Sequence, residues 1–98
     1  MAKLSIQIPE ELRDLSPAYL ESRIKDLARL KDALTRKDFD FIAGLSHKTK
    51  GTAASYGFEQ LGAIAKSLEF AAKSQNLADL ETALAAMAEY LGNVEIQL

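Results

Sequence analysis

A chain of 98 residues, 48% hydrophobic and 27% charged, suffices for one compact core, so a single domain is expected, with disorder expected at most at its ends. The lack of cysteine excludes disulfide scaffolds and thiolate metal centres. A formal charge of -2, with basic residues interspersed among acids, argues against a nucleic-acid partner, and no apolar run approaches the roughly 20 residues that cross a bilayer.

The first element, "KLSIQI" (Lys3 to Ile8), alternates apolar and polar residues, the period of a strand; Pro9 with Glu10 and Glu11 can then start a short helical turn. From Ser16 onward apolar residues recur at three and four, the period of a helix with one buried stripe. In "SPAYLESRIKDLARLKDALTR" that stripe is expected to be Leu20, Ile24, Leu27 and Leu34, with Leu30 beside it. Ser16 is the expected N-cap, Pro17 suits the first helical position, and Arg36 and Lys37 close the segment where a helix dipole favours cations. Asp38 is expected to cap a second helix that runs toward Tyr56 and breaks at Gly57. A third is expected from about Phe58 to Ser74, with Leu61, Ile64, Ala65, Leu68 and Ala72 inward. Asn76 caps a fourth, whose stripe is Leu77, Leu80, Leu84, Met87 and Leu91 and which Gly92 is expected to end. "NVEIQL" (Asn93 to Leu98) alternates again.

These elements predict one all-α domain over residues 1–98, with an N-terminal extension (1–15), an antiparallel up-down-up-down four-helix bundle (16–92) and a C-terminal tail (93–98). Both termini then lie at one end of the bundle. A small β-ribbon between them is the alternative to frayed tails. The N-terminus lacks the charged-then-apolar pattern of a signal segment, so a cytoplasmic location is expected, and the amphipathic helices are compatible with a monomer that contacts no membrane.

The one histidine, His47, lies in "LSHKTKGTAASYGF". At about 100° per residue, Phe41, Ile42, Thr49, Thr52, Ala53 and Tyr56 fall within roughly 80° of Leu45 and form the expected buried arc, while His47 stands about 160° away. Its helical neighbours are Ala43, Gly44, Lys50, Gly51 and Ala54, a low collar. An isolated histidine is most often a solvated surface residue. Here, however, two glycines sit on one helical face, each costing about 1 kcal/mol relative to alanine, and close approach by another surface is the simplest compensation. Lys50 supplies a mobile cation where an anionic group on the imidazole would sit. This set suits a nucleophilic histidine that carries a phosphoryl group, because an exposed imidazole has a pKa near 6.5 and is mostly neutral at cellular pH.

At these residues the chain resembles the histidine phosphotransfer (HPt) domain family. "HKTKGTAASYGF" is similar to its signature, with His47, Lys50, Gly51, Gly57 and Phe58 matching and Leu61 continuing the pattern. "LEFAAKSQNLADLETAL" and "IPEELRDLSPAYLESRIKDLARLKDAL" extend the likeness over nearly the whole chain. The resemblance implies a phosphorelay intermediate. His47 would accept a phosphoryl group at Nε2 from an aspartyl phosphate on a response-regulator receiver domain and pass it on. Mg²⁺ and most catalytic groups would belong to the receiver, leaving this chain with no cofactor or metal of its own. A sensor histidine kinase, hybrid or otherwise, would be the other partner. Lys50 becomes the electrostatic neighbour, Gly51 leaves space for docking, and Gly57 ends or tightens the helix.

Glu69, 22 residues after His47, stands where family members often carry a glutamine or glutamate that hydrogen-bonds Nδ1; an ordinary solvated glutamate is the competing reading. Phe39 is expected to join Ala43, Gly44 and Ala54 in an apolar landing surface for the receiver. Phe41, Tyr56, Phe58 and Phe70 are expected to fill the core or its end, and Lys48, Lys66 and Lys73 to be solvated. Thr49 departs from the large aliphatic usual two residues after the histidine, and its hydroxyl is expected to bond back to the Leu45 carbonyl.

Nothing resembles a nucleotide-binding motif, so no kinase activity is expected. A variant reading is the phospho-accepting domain of a chemotaxis-type histidine kinase, which the signature and the glutamate at 69 also resemble. A non-catalytic adaptor bundle is the rival from another class. A carboxylate-bridged metal enzyme would want two E-x-x-H pairs, whereas the one histidine is preceded at i-3 by Gly44.

Overall fold

The computed structural model describes the backbone of residues 4–97 and the side chains of residues 8–94. Strands β1 (Leu4–Gln7) and β2 (Val94–Gln97) bracket a 3₁₀ turn (Glu10–Leu12) and four helices: α1 (Ser16–Thr35), α2 (Phe39–Ser55), α3 (Glu59–Lys73) and α4 (Leu77–Asn93). The expected all-α bundle is present, and no helix among the described residues is long and apolar enough to cross a membrane.

The three links between helices are built alike. Each has three residues (36–38, 56–58 and 74–76), and the middle one is left-handed: Lys37 at φ 57°, Gly57 at φ 92° and Gln75 at φ 54°. Following that residue, the next N–H reaches back to a buried alanine carbonyl, Asp38 to Ala33 and Phe58 to Ala53 at 2.8 Å, and Asn76 to Ala71 at 3.0 Å. This is the Schellman closure, which satisfies the orphan carbonyls of one helix and reverses the chain within a few residues. The reversal leads straight into the next cap. Asp38 accepts from the Phe41 N–H and Asn76 from the Asp79 N–H, both at 3.1 Å. Links this short make sequential helices antiparallel neighbours.

The core is assembled from Leu30 and Ala33 of α1, Ile42 and Ala53 of α2, Leu61 and Leu68 of α3, and Leu80 and Met87 of α4, with Phe58 fully buried at one link. On one flank of α2, Tyr19 stacks on Tyr56 at 4.5 Å between centroids and donates to or accepts from the Thr52 hydroxyl at 2.7 Å. Arg23 lies over the Tyr19 ring and bonds the buried Asp26, which Arg29 also holds while covering Phe41. On the other flank α3 packs directly on α2 at the buried Gly62, where a built β-carbon would make ordinary contact, 3.5 Å, with the Lys50 carbonyl. Between these two contacts the rotation of α2 is fixed.

Several expectations require correction. Ser16 does not cap α1; its buried hydroxyl donates to the Leu12 carbonyl at 2.8 Å, inside the preceding turn. The inner face of α1 is Ser16, Tyr19, Asp26, Leu30 and Ala33, and Ile24 is 49% exposed. Docking of the Tyr19 ring on α2 turns the helix toward that face and carries Ile24 outward. Thr52, expected in the buried arc, is exposed, and Ser46 takes a buried place instead. Gly92 does not end α4, which continues to Asn93 before Val94 adopts an extended conformation. The termini pair as a ribbon, and the pairing is parallel, with Leu4 opposite Val94 and Gln7 opposite Gln97. Parallel strands need a long crossover, and here the crossover is the whole bundle.

The three links give an asymmetric test of one turn geometry. Lys37→Gly and Gln75→Gly are each expected to leave stability unchanged or to raise it by up to about 1 kcal/mol, whereas Gly57→Ala lowers it by about 1 kcal/mol. Urea unfolding midpoints measure the difference.

Candidate functional site

His47 projects from the middle of α2 with 67% of its side chain exposed. Gly44 and Gly51, one turn to either side, are exposed, and a β-carbon built at either would meet nothing within 4 Å. Among the described residues, then, no packing calls for glycine there. Both weaken the helix and both keep the approach to the imidazole low. Ala54 is exposed on the same collar.

Beneath the ring, Glu69 of α3 is nearly buried, with 8% of its side chain exposed. His47 Nδ1 lies 2.8 Å from Glu69 Oε2, Lys50 Nζ donates to Oε1 at 2.7 Å, and Lys73 Nζ lies 3.2 Å from Oε2. Glu69 has its pKa lowered to about 2, chiefly by the hydrogen bond from Lys50 and further by those from Lys73 and His47, which outweigh the opposing effect of burial. It is a carboxylate at any pH where the protein works, and a carboxylate only accepts hydrogen bonds. Nδ1 must therefore carry the ring proton. In the neutral imidazole this leaves the lone pair on Nε2, the nitrogen across the ring from the buried carboxylate. The arrangement is a fixed tautomer with an open nucleophilic atom.

The spacing of 22 residues works because α2 and α3 are antiparallel and close, so close that a β-carbon built at Gly62 would lie 3.9 Å from that of Ala53. Of the two readings of Glu69, the buried, imidazole-bonded one holds. Lys50 shares its carboxylate rather than standing free as a mobile cation. Thr49 is buried, and its hydroxyl donates to the Leu45 carbonyl at 3.0 Å as expected. Gly57 has the left-handed backbone of a helix terminator.

Of the residues expected to form a landing surface, Gly44, Gly51 and Ala54 are exposed, whereas Phe39 and Ala43 are half-buried against the core. Lys73, expected to be solvated, reaches Glu69; the pair is i,i+4 on α3, a spacing visible in the sequence. Phe70, expected in the core, is 72% exposed. Turning Glu69 toward α2 rotates its chain neighbour by about 100° to the outside. There Phe70 rims a groove of about 540 Å³ whose apolar wall includes Ile64 and Ala71 of α3 and Ala83 and Ala86 of α4.

A family model described as Hpt domain matches residues 11–97. Comparisons with curated proteins and with solved structures returned no match.

The depressed Glu69 value sets the sign of an acid dependence. Stability contributed by this carboxylate is fully present above its unfolded value of 4.5 and is lost as pH falls toward the folded value of about 2. Melting temperature plotted against pH is expected to fall across that window, and Glu69→Gln is expected to flatten the fall.

Proposed function

Since the chain belongs to the Hpt domain family, we propose that His47 is the phosphoryl carrier of a two-component phosphorelay, accepting from one aspartyl-phosphate receiver domain and donating to another. The observation that carries this reading is the exposed imidazole whose Nδ1 is tied to a buried, ionised carboxylate. In the forward step the Nε2 lone pair attacks the phosphorus of the aspartyl phosphate. The N–P bond forms while the O–P bond breaks, and the electron pair leaves on the partner's carboxylate. Nδ1 keeps its proton, so the ring becomes cationic beside Glu69, which stabilises the charge where it develops. Return transfer retraces this path.

The low collar lets the receiver bring its phosphoryl group in line with Nε2, and such positioning supplies most of the catalysis in phosphoryl transfer. On this reading the protein is an intermediate with no kinase activity, the receiver supplies Mg²⁺, and a sensor histidine kinase, hybrid or separate, stands upstream. A second reading is favoured by the carboxylate at position 69: the phospho-accepting domain of a chemotaxis-type kinase, charged from ATP by a separate catalytic domain.

Incubation with phosphorylated receiver domains is expected to give acid-labile phosphate on the wild-type chain and none on His47→Gln. Labelling only by a kinase catalytic domain with ATP would select the second reading, and labelling of His47→Gln would end both. Gly51 offers a separate check. Gly51→Leu is expected to raise stability by about 0.5–1 kcal/mol, since the site is helical and open, yet to slow transfer by at least about tenfold by obstructing the collar.

A further inference from the structure

The two oxygens of Glu69 are shared by three nitrogen groups, and one of them has no role so far. Oε1 takes Lys50, and Oε2 takes both the His47 ring and Lys73. A lone carboxylate beside an imidazole favours the imidazolium form, in which Nε2 holds a proton and has no lone pair. Orientation by Glu69 alone would therefore work against nucleophilicity.

Lys50 neutralises the carboxylate, and Lys73 takes the cluster to one net positive charge. A proton added at Nε2 then raises the total to two. A phosphoryl group added at the same atom, with a cationic ring and two negative charges on its oxygens, lowers the total to zero. The same field disfavours one occupant of Nε2 and favours the other. On the reading of His47 as phosphoryl acceptor, we infer that Lys73 is a positioning residue that acts with Lys50 to offset Glu69, so that the carboxylate orients the ring without holding a proton on Nε2.

Among the described residues, no further ion pair reaches the cluster. On α2, Lys48 is exposed beside His47 in the chain, and Asp40 is exposed two turns earlier. On α3, Lys66 is exposed one turn before Glu69, and among the described residues no ion pair joins them. The ion pairs of α1 link Lys25 to Glu21, Asp26 to Arg23 and Arg29, and Arg36 to Asp32 and Asp38, none within the cluster. Among the described residues α4 contributes no ion pair to it.

His47 is the only histidine, so its ring protons give an unambiguous NMR titration. The test compares wild type, Lys73→Gln and Lys73→Arg by this titration and by the pH dependence of phosphoryl acceptance from a receiver domain charged with acetyl phosphate. Lys73→Gln is expected to move the ring midpoint to higher pH, with the acid limb of acceptance moving alongside, and Lys73→Arg to restore both. Because Lys73 is 67% exposed, the displacement is expected to shrink in 0.5 M salt, an ionic strength chosen at about half the 1 M at which the Debye length is 3 Å. A midpoint that stays put or moves down in Lys73→Gln overturns the inference, as does slower acceptance at every pH with an unmoved midpoint, which would make Lys73 a partner contact. Failure of the wild type to accept phosphate at any pH overturns the acceptor reading instead. The two failures are separable because the ring titration needs no partner.

Discussion

The geometry of the site rests on one carboxylate kept ionised out of water. Glu69 is nearly enclosed between α2 and α3, and an isolated charge there would be strongly disfavoured. It stays charged because both of its oxygens are engaged by cations or by an N–H, with Lys50 closest. Ion-pair arguments usually concern stability; here the pairing determines which nitrogen of a neighbouring ring bears hydrogen. The rest of the site is comparatively passive, since glycine and alanine around the ring contribute by leaving space.

That carboxylate can do its work only if α2 is held in one rotation. Tyr19, Arg23 and Asp26 set the α1 flank, while α3 packs on the other at the buried Gly62. A helix free to roll by one residue position, about 100°, would take the imidazole away from its acceptor. The aromatic stack makes no contact with the imidazole, yet it belongs to the same mechanical unit. Three near-identical reversals then fix the order of the helices around that unit.

Much of this was legible in the residues because it depends on local rules. The caps at Asp38 and Asn76, the break at Gly57, the outward direction of His47 and the back-bonded hydroxyl of Thr49 follow from helical geometry and side-chain chemistry within a few positions. What escaped was decided by neighbours distant in the chain. The face of α1 is chosen by where Tyr19 finds Thr52 and Tyr56, so periodicity alone nominated Ile24 wrongly. Phe70 has the composition of a core residue, but its position is dictated by the polar contact of Glu69 next to it. Lys73 has helical spacing to Glu69, though without knowing that Glu69 is enclosed the pair reads as one more surface contact. The left-handed backbone at Lys37 and Gln75 carries no glycine to announce it.

The ribbon of β1 and β2 joins stretches 90 positions apart, Leu4 with Val94, while every helix pair in sequence closes through three residues. Hairpins of that kind form early, whereas the search for a distant partner is slow and unrewarded until everything between is in place. The clasp is thus expected to assemble last and to open first. Its amide protons would serve as a reporter of completeness for the entire molecule, exchanging freely in any species whose bundle is only partly built.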